Sequence, residues 1–490
     1  QNLSSWDTSS VTDMSEMFSL ASEFNGNIST WDTSNVTDMA NMFNRAYDFN
    51  QPLNNWNTSN VENMNEMFRF AYPFNQPLNN WNTSSVTDMS RMFSVSLSFN
   101  QNLSSWDTSS VTDMSEMFES ADNFNGNIST WDTSNVENMA NMFDAADSFN
   151  QPLNNWDTSS VTDMYEMFYT ADIFNQPLNN WDTSSVETMR RMFFGANDFN
   201  GNISTWNTSS LTDMSGMFFS ADNFNQSLND WDTSNVTDMS ATFRAANSFN
   251  QPLSNWNTSS VNTMDRMFEQ ADRFNQPLNN WDTGNVEDMR SMFEFASSFN
   301  QSLNNWDMSK VESMESMFNA ASSFNQDIGD WNVSRVRQMR QMFDGASNFN
   351  NGGSSSINNW NTSRVENMDR MFSNANNFNQ PLNDWNVSNV ENMNRLFYRA
   401  NDFNGDISSW DVSNVNTFNE MFWDSNFNQD ISGWNTSSAQ NMFRMFIFAS
   451  SFDQNIGGWN LDSVTNAAAM FEGASSFNNG GSPSINDWNV

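Results

Sequence analysis

The sequence predicts an α/β repeat solenoid of about 19 coils, each of 25 residues with a short parallel strand and a short helical turn. Tryptophan recurs every 25 residues from Trp6 to Trp331, and the series resumes at Trp360 after a longer loop. Large apolar residues hold fixed places relative to each tryptophan, which disordered chains do not maintain. Because a solenoid grows by adding coils, residues 1–490 are predicted to form a single solenoid.

Two parts of the chain differ in regularity. Residues 1–349 are regular coils, whereas residues 350–490 carry two Gly-Ser insertions and a decaying register. The insertions read NNGGSSSINNW from Asn350 and NNGGSPSINDW up to Trp488. Paired glycines next to serines predict flexible loops that bulge on one face of the solenoid.

The segment FNQPL before each tryptophan lacks helical spacing, and we predict it to be the strand that stacks coil on coil. Proline, as at Pro52, is awkward there because it donates no ladder hydrogen bond. The spacing of Val36, Met39, Phe43 and Ala46 fits one face of a short helix. Val-Thr-Asp-Met could equally be a brief strand before one helical turn, and the spacing does not decide between these alternatives.

Equivalent residues are expected to stack in columns, since each coil alone buries too little apolar surface to fold. The predicted structural columns begin with Trp6, Trp31 and Trp56 and with Asn25, Asn50 and Asn75. The asparagines are predicted to bond to the backbone of the neighbouring coil. A longer period also exists, because Gln1–Phe18 is identical to Gln101–Phe118. Four coils were therefore copied as a block.

The combined pattern MFxxAxxFNQxLxxWxTSxVxxM resembles the 25-residue leucine-rich-repeat variant of BspA-like surface proteins, over the whole chain. The resemblance implies a right-handed, leucine-rich-repeat-like solenoid that is secreted or exposed on a cell surface. Members of that family are generally adhesive or have no known role, and the resemblance implies the same for this chain. No catalytic or ligand-binding residue transfers, because the shared pattern specifies the core.

The composition excludes several classes of function. A formal net charge of −40, from 58 acidic and 18 basic residues, repels nucleic acid and anionic lipid. With no Cys and no His, the chain has neither disulfides nor thiolate metal sites. No apolar run is long enough to span a membrane. Abundant Asn, Ser, Thr and Asp with a single lysine, Lys310, favour an extracellular or cell-surface location.

No enzyme is predicted, and no catalytic or cofactor-binding residue is assigned. Acid–base chemistry would fall to carboxylates, but every plausible Asp is one of a column of equivalents, whereas an active site is a local exception. Calcium between coils is a weak alternative, and turn chemistry is favoured because Asn57 and Asn63 replace Asp in the same columns. The calcium candidates are Asp7, Asp13, Asp32 and Asp38.

Two other surface features carry hypotheses. A file of threonines, starting at Thr8 and Thr33, could match an ice or crystal lattice. Asn-x-Ser/Thr sequons could be glycosylated if the exporting machinery does so. The glycosylation candidates are Asn2, Asn27, Asn35, Asn57, Asn82, Asn102, Asn127 and Asn202.

These observations predict an extracellular, non-enzymatic structural or adhesive repeat protein. Gln1 and Val490 both fall within the repeat pattern, so head-to-tail filament growth and a fragment of a longer repeat domain are both considered. The alternative is a monomeric module that binds a host protein or glycan. The variable surface residues are scattered along the sequence, which favours a structural role. They include Tyr47, Arg69, Tyr165, Tyr169, Arg190 and Arg191.

Overall fold

Coils lie side by side within each of two compact units, with equivalent residues in register. A computed structural model describes residues 3–482. The chain divides into the units Gln1–Val236 with Ala245–Gln251 and Thr237–Arg244 with Pro252–Val490. Within each unit, parallel bridges join residues one coil apart, as between Asn138 and Asp163 or between Gln338 and Asn367. Each unit is therefore a solenoid of stacked coils.

The regular structure differs from the prediction in its details. Within residues 3–482 there is no α-helix, and the parallel pairing consists of isolated bridges. The bridge lies in the Val-x-x-Met segment, as at Asp163, so the strand predicted in FNQPL is wrong. The short 3-10 helices are Asn351–Gly353, Ser355–Asn359 and Asn479–Gly481.

The predicted helical turn is replaced by overlapping turns whose alternate peptide groups point along the stack. In the coil of residues 126–150, the N–H groups of Met139, Asn141, Phe143 and Ala145 donate to carbonyl oxygens of the next coil at 2.7–3.2 Å. The N–H groups of Met142 and Asp144 close i→i−3 turns within the coil, and that of Ala140 donates to the Asn138 Oδ1. An α-helix cannot form, because the donors it needs are directed to the neighbouring coil.

This arrangement requires a left-handed backbone at two places in most coils. Asn141 has φ 55° and Ala145 has φ 51°, and the equivalent residues of other coils are similar. Such a conformation costs about 1–2 kcal/mol for a residue with a Cβ atom. Glycine occupies the site only occasionally, as at Gly195 and Gly216. The hydrogen bond that each of these residues makes to the next coil offsets the cost.

Asparagine and glutamine side chains join the FNQPL segments of neighbouring coils. The Asn125 Oδ1 accepts hydrogen bonds from the Asn150 N–H at 3.1 Å and from the Gln151 Nε2 at 2.9 Å. Because a side chain supplies the acceptor, the segment does not form a continuous backbone ladder. Proline at Pro152 is accommodated, since the bonds that join this segment to the preceding coil use the Asn150 N–H and the Gln151 side chain instead.

The core consists of aromatic columns. The rings of Trp131 and Trp156 stack with centroids 6.2 Å apart, and both are almost fully buried. The Trp156 Nε1 donates to the carbonyl oxygen of Ile128 in the preceding coil at 3.2 Å. Phe143 stacks on Phe149 at 4.0 Å within its coil. Each stacked pair adds about 0.5–1.5 kcal/mol beyond the burial of its area.

The first Gly-Ser insertion is compact rather than a bulging loop. Asn351 is fully buried, its Oδ1 accepts from the Ile328 N–H at 3.0 Å, and its Nδ2 donates to the Ser354 carbonyl at 2.8 Å. Asn479 makes the equivalent bond to the Ile456 N–H at 2.9 Å in the second insertion. In each insertion a buried asparagine amide therefore bonds to the backbone of the preceding coil.

The asparagine column can be tested with two substitutions at one position. We expect Asn125→Ala to cost about 1 kcal/mol of local stability, because the Asn150 N–H loses its acceptor. Asn125→Asp should cost less, since a carboxylate also accepts and Asp453 already does so from the Asn478 N–H. Hydrogen exchange of peptides covering residues 149–156 measures the effect. An equal loss of hydrogen-exchange protection in both variants would show that the acceptor oxygen at position 125 does not stabilise the neighbouring coil.

Candidate functional surface

The candidate calcium residues are engaged in turns of their own coils. The Asp7 and Asp13 carboxylates each accept from the N–H and hydroxyl of a serine two residues later, at 2.6–3.1 Å. These serine bonds hold the pKa values of Asp7 and Asp13 below the ordinary range, and Ser34 does the same for Asp32. Asp38 accepts from the Ala40 N–H at 2.8 Å.

Within residues 3–482, no group of three or more acidic side chains is placed to hold a metal ion. The four aspartates therefore fit turn chemistry in this structure. Calcium binding at them stays a prediction.

The sequon asparagines lie at the surface. Asn27, Asn57, Asn82, Asn102 and Asn202 are exposed, and each accepts at its Oδ1 from the N–H two residues later.

Three other sequons differ in their setting. Asn127 is half-buried in the same kind of turn. Asn35 is exposed, but its Nδ2 donates to the Ser9 carbonyl at 2.8 Å. Asn2 lies outside the described residues. Glycosylation of all these sites stays a prediction.

The threonine file is not a lattice-binding surface. Thr33 and Thr158 are buried to within 1% of full burial, and their hydroxyls donate to carbonyl oxygens of the next coil at 2.9 and 2.8 Å. A buried hydroxyl cannot contact a crystal face. The methyl-bearing replacements Val333 and Val387 occupy the same buried column.

Most arginines lie along the face that carries the Met-Phe turns. Arg91 binds Glu116 through two bonds of 2.6 and 2.5 Å, and this pairing raises the pKa of Arg91 and lowers that of Glu116. Arg395 and the buried Glu420 form a single contact of 2.5 Å. A partly exposed pair such as Arg91 with Glu116 contributes little to stability. They align charges of neighbouring coils on one face.

The variable surface residues cluster, contrary to the prediction that they are scattered. In the first cluster, Arg45 and Arg69 lie 5.2 and 5.0 Å from the ring of Phe70, and Tyr47 stacks on Tyr72 at 5.1 Å. Their sequence spacing hides this proximity, because residues about 25 apart become neighbours in adjacent coils.

Two similar clusters occur further along the chain. Tyr169 stacks on Phe194 at 4.6 Å, with Arg191 5.9 Å from the Phe194 ring. In the other, Arg444 lies 5.3 Å from the ring of Trp423, the one tryptophan outside the core column. Tyrosine, tryptophan and arginine are the side chains most often found at binding hot spots.

A partly buried carboxyl, that of Asp144, lies on the same face in unit one. Burial, with Glu119, Glu166 and Glu116 close by, raises the pKa of Asp144 from 3.8 to about 7. The neighbouring Asn141 Oδ1 is buried and without a hydrogen-bond partner among the described residues.

The equivalent coil, 100 residues earlier in the sequence, shows which hydrogen bonds a side chain at this position makes. There Asn44 donates from its Nδ2 to Asn41 Oδ1 and Glu66 Oε2, both at 2.8 Å. An ionised carboxylate at position 144 has no proton to donate to the equivalent acceptors. The protonated form is therefore the one that suits the folded state.

We expect Asp144→Asn to stabilise the protein at pH 8 by about 1–2 kcal/mol after allowance for solvent screening. The folded-state pKa is raised, so the destabilisation is absent below about pH 4, grows as the pH rises to about 7 and is complete above it. Melting temperatures at pH 5 and pH 8 measure the difference. Glu62→Gln, at an exposed position, controls for the loss of one charge. A benefit of Asp144→Asn that does not depend on pH would contradict this account.

The sequence profile of one family matches the chain from end to end. The family is described as "Mycoplasma protein of unknown function, DUF285", and its matches cover residues 1–106, 92–204, 188–301, 275–355, 328–426, 350–446 and 408–490. No curated protein matches the sequence. No enzymatic family is indicated by these matches. No helix within the described residues is long and apolar enough to cross a membrane.

Leucine-rich repeat proteins are among the solved structures that resemble this chain. One from Bacteroides ovatus has 10% identity and a TM-score of 0.32, covering 75% of this chain and 87% of its own. An internalin from Listeria monocytogenes has 12% identity and a TM-score of 0.21, covering 76% and 82%. At these TM-scores the likeness carries no argument about partners, and the solenoid is defined by this chain's own inter-coil bonds.

Proposed function

The chain belongs to the family described as "Mycoplasma protein of unknown function, DUF285", and from this premise we propose that it is an extracellular, non-enzymatic structural or adhesive repeat protein. The observation that carries the proposal is the engagement of its repeated polar groups in bonds between and within coils. The Asp, Asn and Thr columns all serve the backbone in this way. Such a chain offers a long periodic surface rather than a reaction centre. The BspA-like surface proteins remain the proposed relatives.

Self-association is the proposed means by which the protein builds structure. Within each unit, apolar columns hold one coil to the next, and a tryptophan such as Trp31 is only 4% exposed where coils stack. These columns would serve equally well between coils of two different molecules. We propose that two copies stack head-to-tail through them, forming a stacking face, and a heterologous contact of this kind gives open filaments.

The stacking face can be tested with one lysine at two places. We expect Trp6→Lys to weaken self-association at least tenfold, because it places a charge in the tryptophan column, which is almost fully buried where coils stack, as Trp31 is at 4% exposed. Phe295→Lys adds the same charge at a surface position of an interior coil, where the native side chain is 44% exposed, and should have no effect. Analytical ultracentrifugation over a range of concentrations, with negative-stain microscopy, measures both.

The outcomes separate the hypotheses. A wild-type protein that stays monomeric at every concentration would rule out self-association. Fibres that dissociate in chelator would assign a role to calcium, and fibres that survive would remove that role.

A second function, the binding of a host protein or glycan, is favoured by a specific observation. The surface residues that break the repeat come together in aromatic and arginine clusters, as around Phe70 and around Trp423. A purely structural repeat has no need of such local exceptions. We therefore keep ligand binding as the alternative role of the same solenoid.

A further inference from the structure

One surface column is interrupted in three consecutive coils. Tyr47, Tyr72 and Leu97 are equivalent residues, and Tyr47 and Tyr72 are 39% and 36% exposed. Elsewhere in the same unit the column carries small or polar side chains. These are Ser22, Asp122, Asp147, Asp172, Asn197, Asp222 and Asn247.

The block duplication gives an internal comparison for these three residues. The coils copied 100 residues later have Asp147, Asp172 and Asn197 at the equivalent places. The core residues between them are almost unchanged, since both copies bury the same Met, Phe, Trp and Val columns. The fold therefore does not require tyrosine at this surface. The difference is confined to what the surface presents to solvent.

The two tyrosines border a shallow depression of about 520 Å³. This volume lies within the range of small-ligand sites, about 300–1,000 Å³. Its floor and walls combine apolar and polar groups from three successive coils and one amide from the first. The lining residues are Asn25, Tyr47, Asp48, Tyr72, Pro73, Leu97 and Ser98.

Tyr47 is 39% exposed, and the preceding coil has only a small side chain at the equivalent place. Tyr47 stacks one face on Tyr72, with centroids 5.1 Å apart and planes 8° from parallel. On its other side the preceding coil offers Ser22, whose carbonyl oxygen accepts the Asp48 N–H at 3.1 Å. A serine side chain is too short to cover a phenol ring. A flat ligand can therefore extend the tyrosine stack by one layer.

We propose that this depression binds a neutral oligosaccharide. The C–H face of a sugar ring packs on the electron-rich face of an aromatic ring. The hydroxyls of the sugar find acceptors and donors in the Asp48 carboxylate, the Asn25 amide and the Ser98 hydroxyl. This combination of a few placed polar groups with aromatic walls is typical of small-ligand sites.

The negative charge of the site and of the chain disfavours anionic sugars. The lining contains the carboxylate of Asp48 and no basic side chain. Arg45 and Arg69 lie beside the depression, over the ring of Phe70 at 5.2 and 5.0 Å, and are not part of its lining. The chain as a whole has a formal net charge of −40. A neutral sugar is therefore favoured over a sialylated or sulfated one. The site does not depend on self-association, and it acts in monomer and filament alike.

The test uses the 490-residue chain and named sugars. Lactose, mannotriose and triacetylchitotriose are the neutral probes, and sialyllactose is the charged partner of lactose. Saturation-transfer NMR and calorimetry measure binding up to about 10 mM, a range suited to weak sites. We expect at least one neutral sugar to bind, and we expect sialyllactose to bind more weakly than lactose.

The variants keep the fold by using residues that the column already holds. The double variant Tyr47→Ser with Tyr72→Ser places serine where Ser22 stands in the first coil, and binding should fall at least tenfold. Ile173→Ser is the control, since it removes an exposed apolar side chain outside the aromatic clusters, and it should leave binding unchanged. Melting temperatures check that the variants fold.

Two results would overturn the proposal. If no neutral sugar binds the wild-type protein at about 10 mM, the depression is not a saccharide site. If the double variant binds as well as the wild type, the sugar binds elsewhere.

Discussion

The structure depends on hydrogen bonds between alternate peptide groups of successive coils. In the turns that follow Met139, every second N–H points to the next coil, and the backbone accepts a left-handed conformation at Asn141 and Ala145 to achieve this. The aromatic columns follow from the resulting register, because equivalent rings are brought to stacking distance coil after coil. Neither the inter-coil hydrogen bonds nor the aromatic columns are sufficient alone, since a single coil buries too little apolar surface without its neighbours.

Polar side chains make hydrogen bonds to the backbone groups that have no backbone partner in the neighbouring coil. The asparagine column replaces a strand ladder, the threonine column donates from inside the core, and the tryptophan indoles donate to carbonyl oxygens of the preceding coil. These tasks explain why polar residues recur as strictly as apolar ones. They also explain why a repeated polar column is a poor indicator of function in such a chain. Functional residues are to be sought where the repeat is broken at the surface.

Duplication has left an internal control for that search. The coil of Asn44 and the coil of Asp144 share a core but differ at one partly buried site, where an amide satisfies acceptors that an ionised carboxylate cannot. The column of Tyr47 and Asp147 differs at the surface instead. The first change affects stability and the second affects what the surface can bind. The two kinds of change are separable because each coil contacts only its neighbours.

The sequence by itself determined the repeat, its period and the members of its core columns, because strict spacing of Trp, Phe and Met leaves few ways to bury them. It did not determine the local backbone. The residues with a left-handed backbone, such as Asn141 and Ala145, are seldom glycine, so their residue types do not predict this conformation. Nor could it show that Tyr47 meets Tyr72 or that Arg45 meets Phe70. Residues far apart in sequence become neighbours only when coils stack, so only the tertiary structure decided which exceptions to the repeat form a surface.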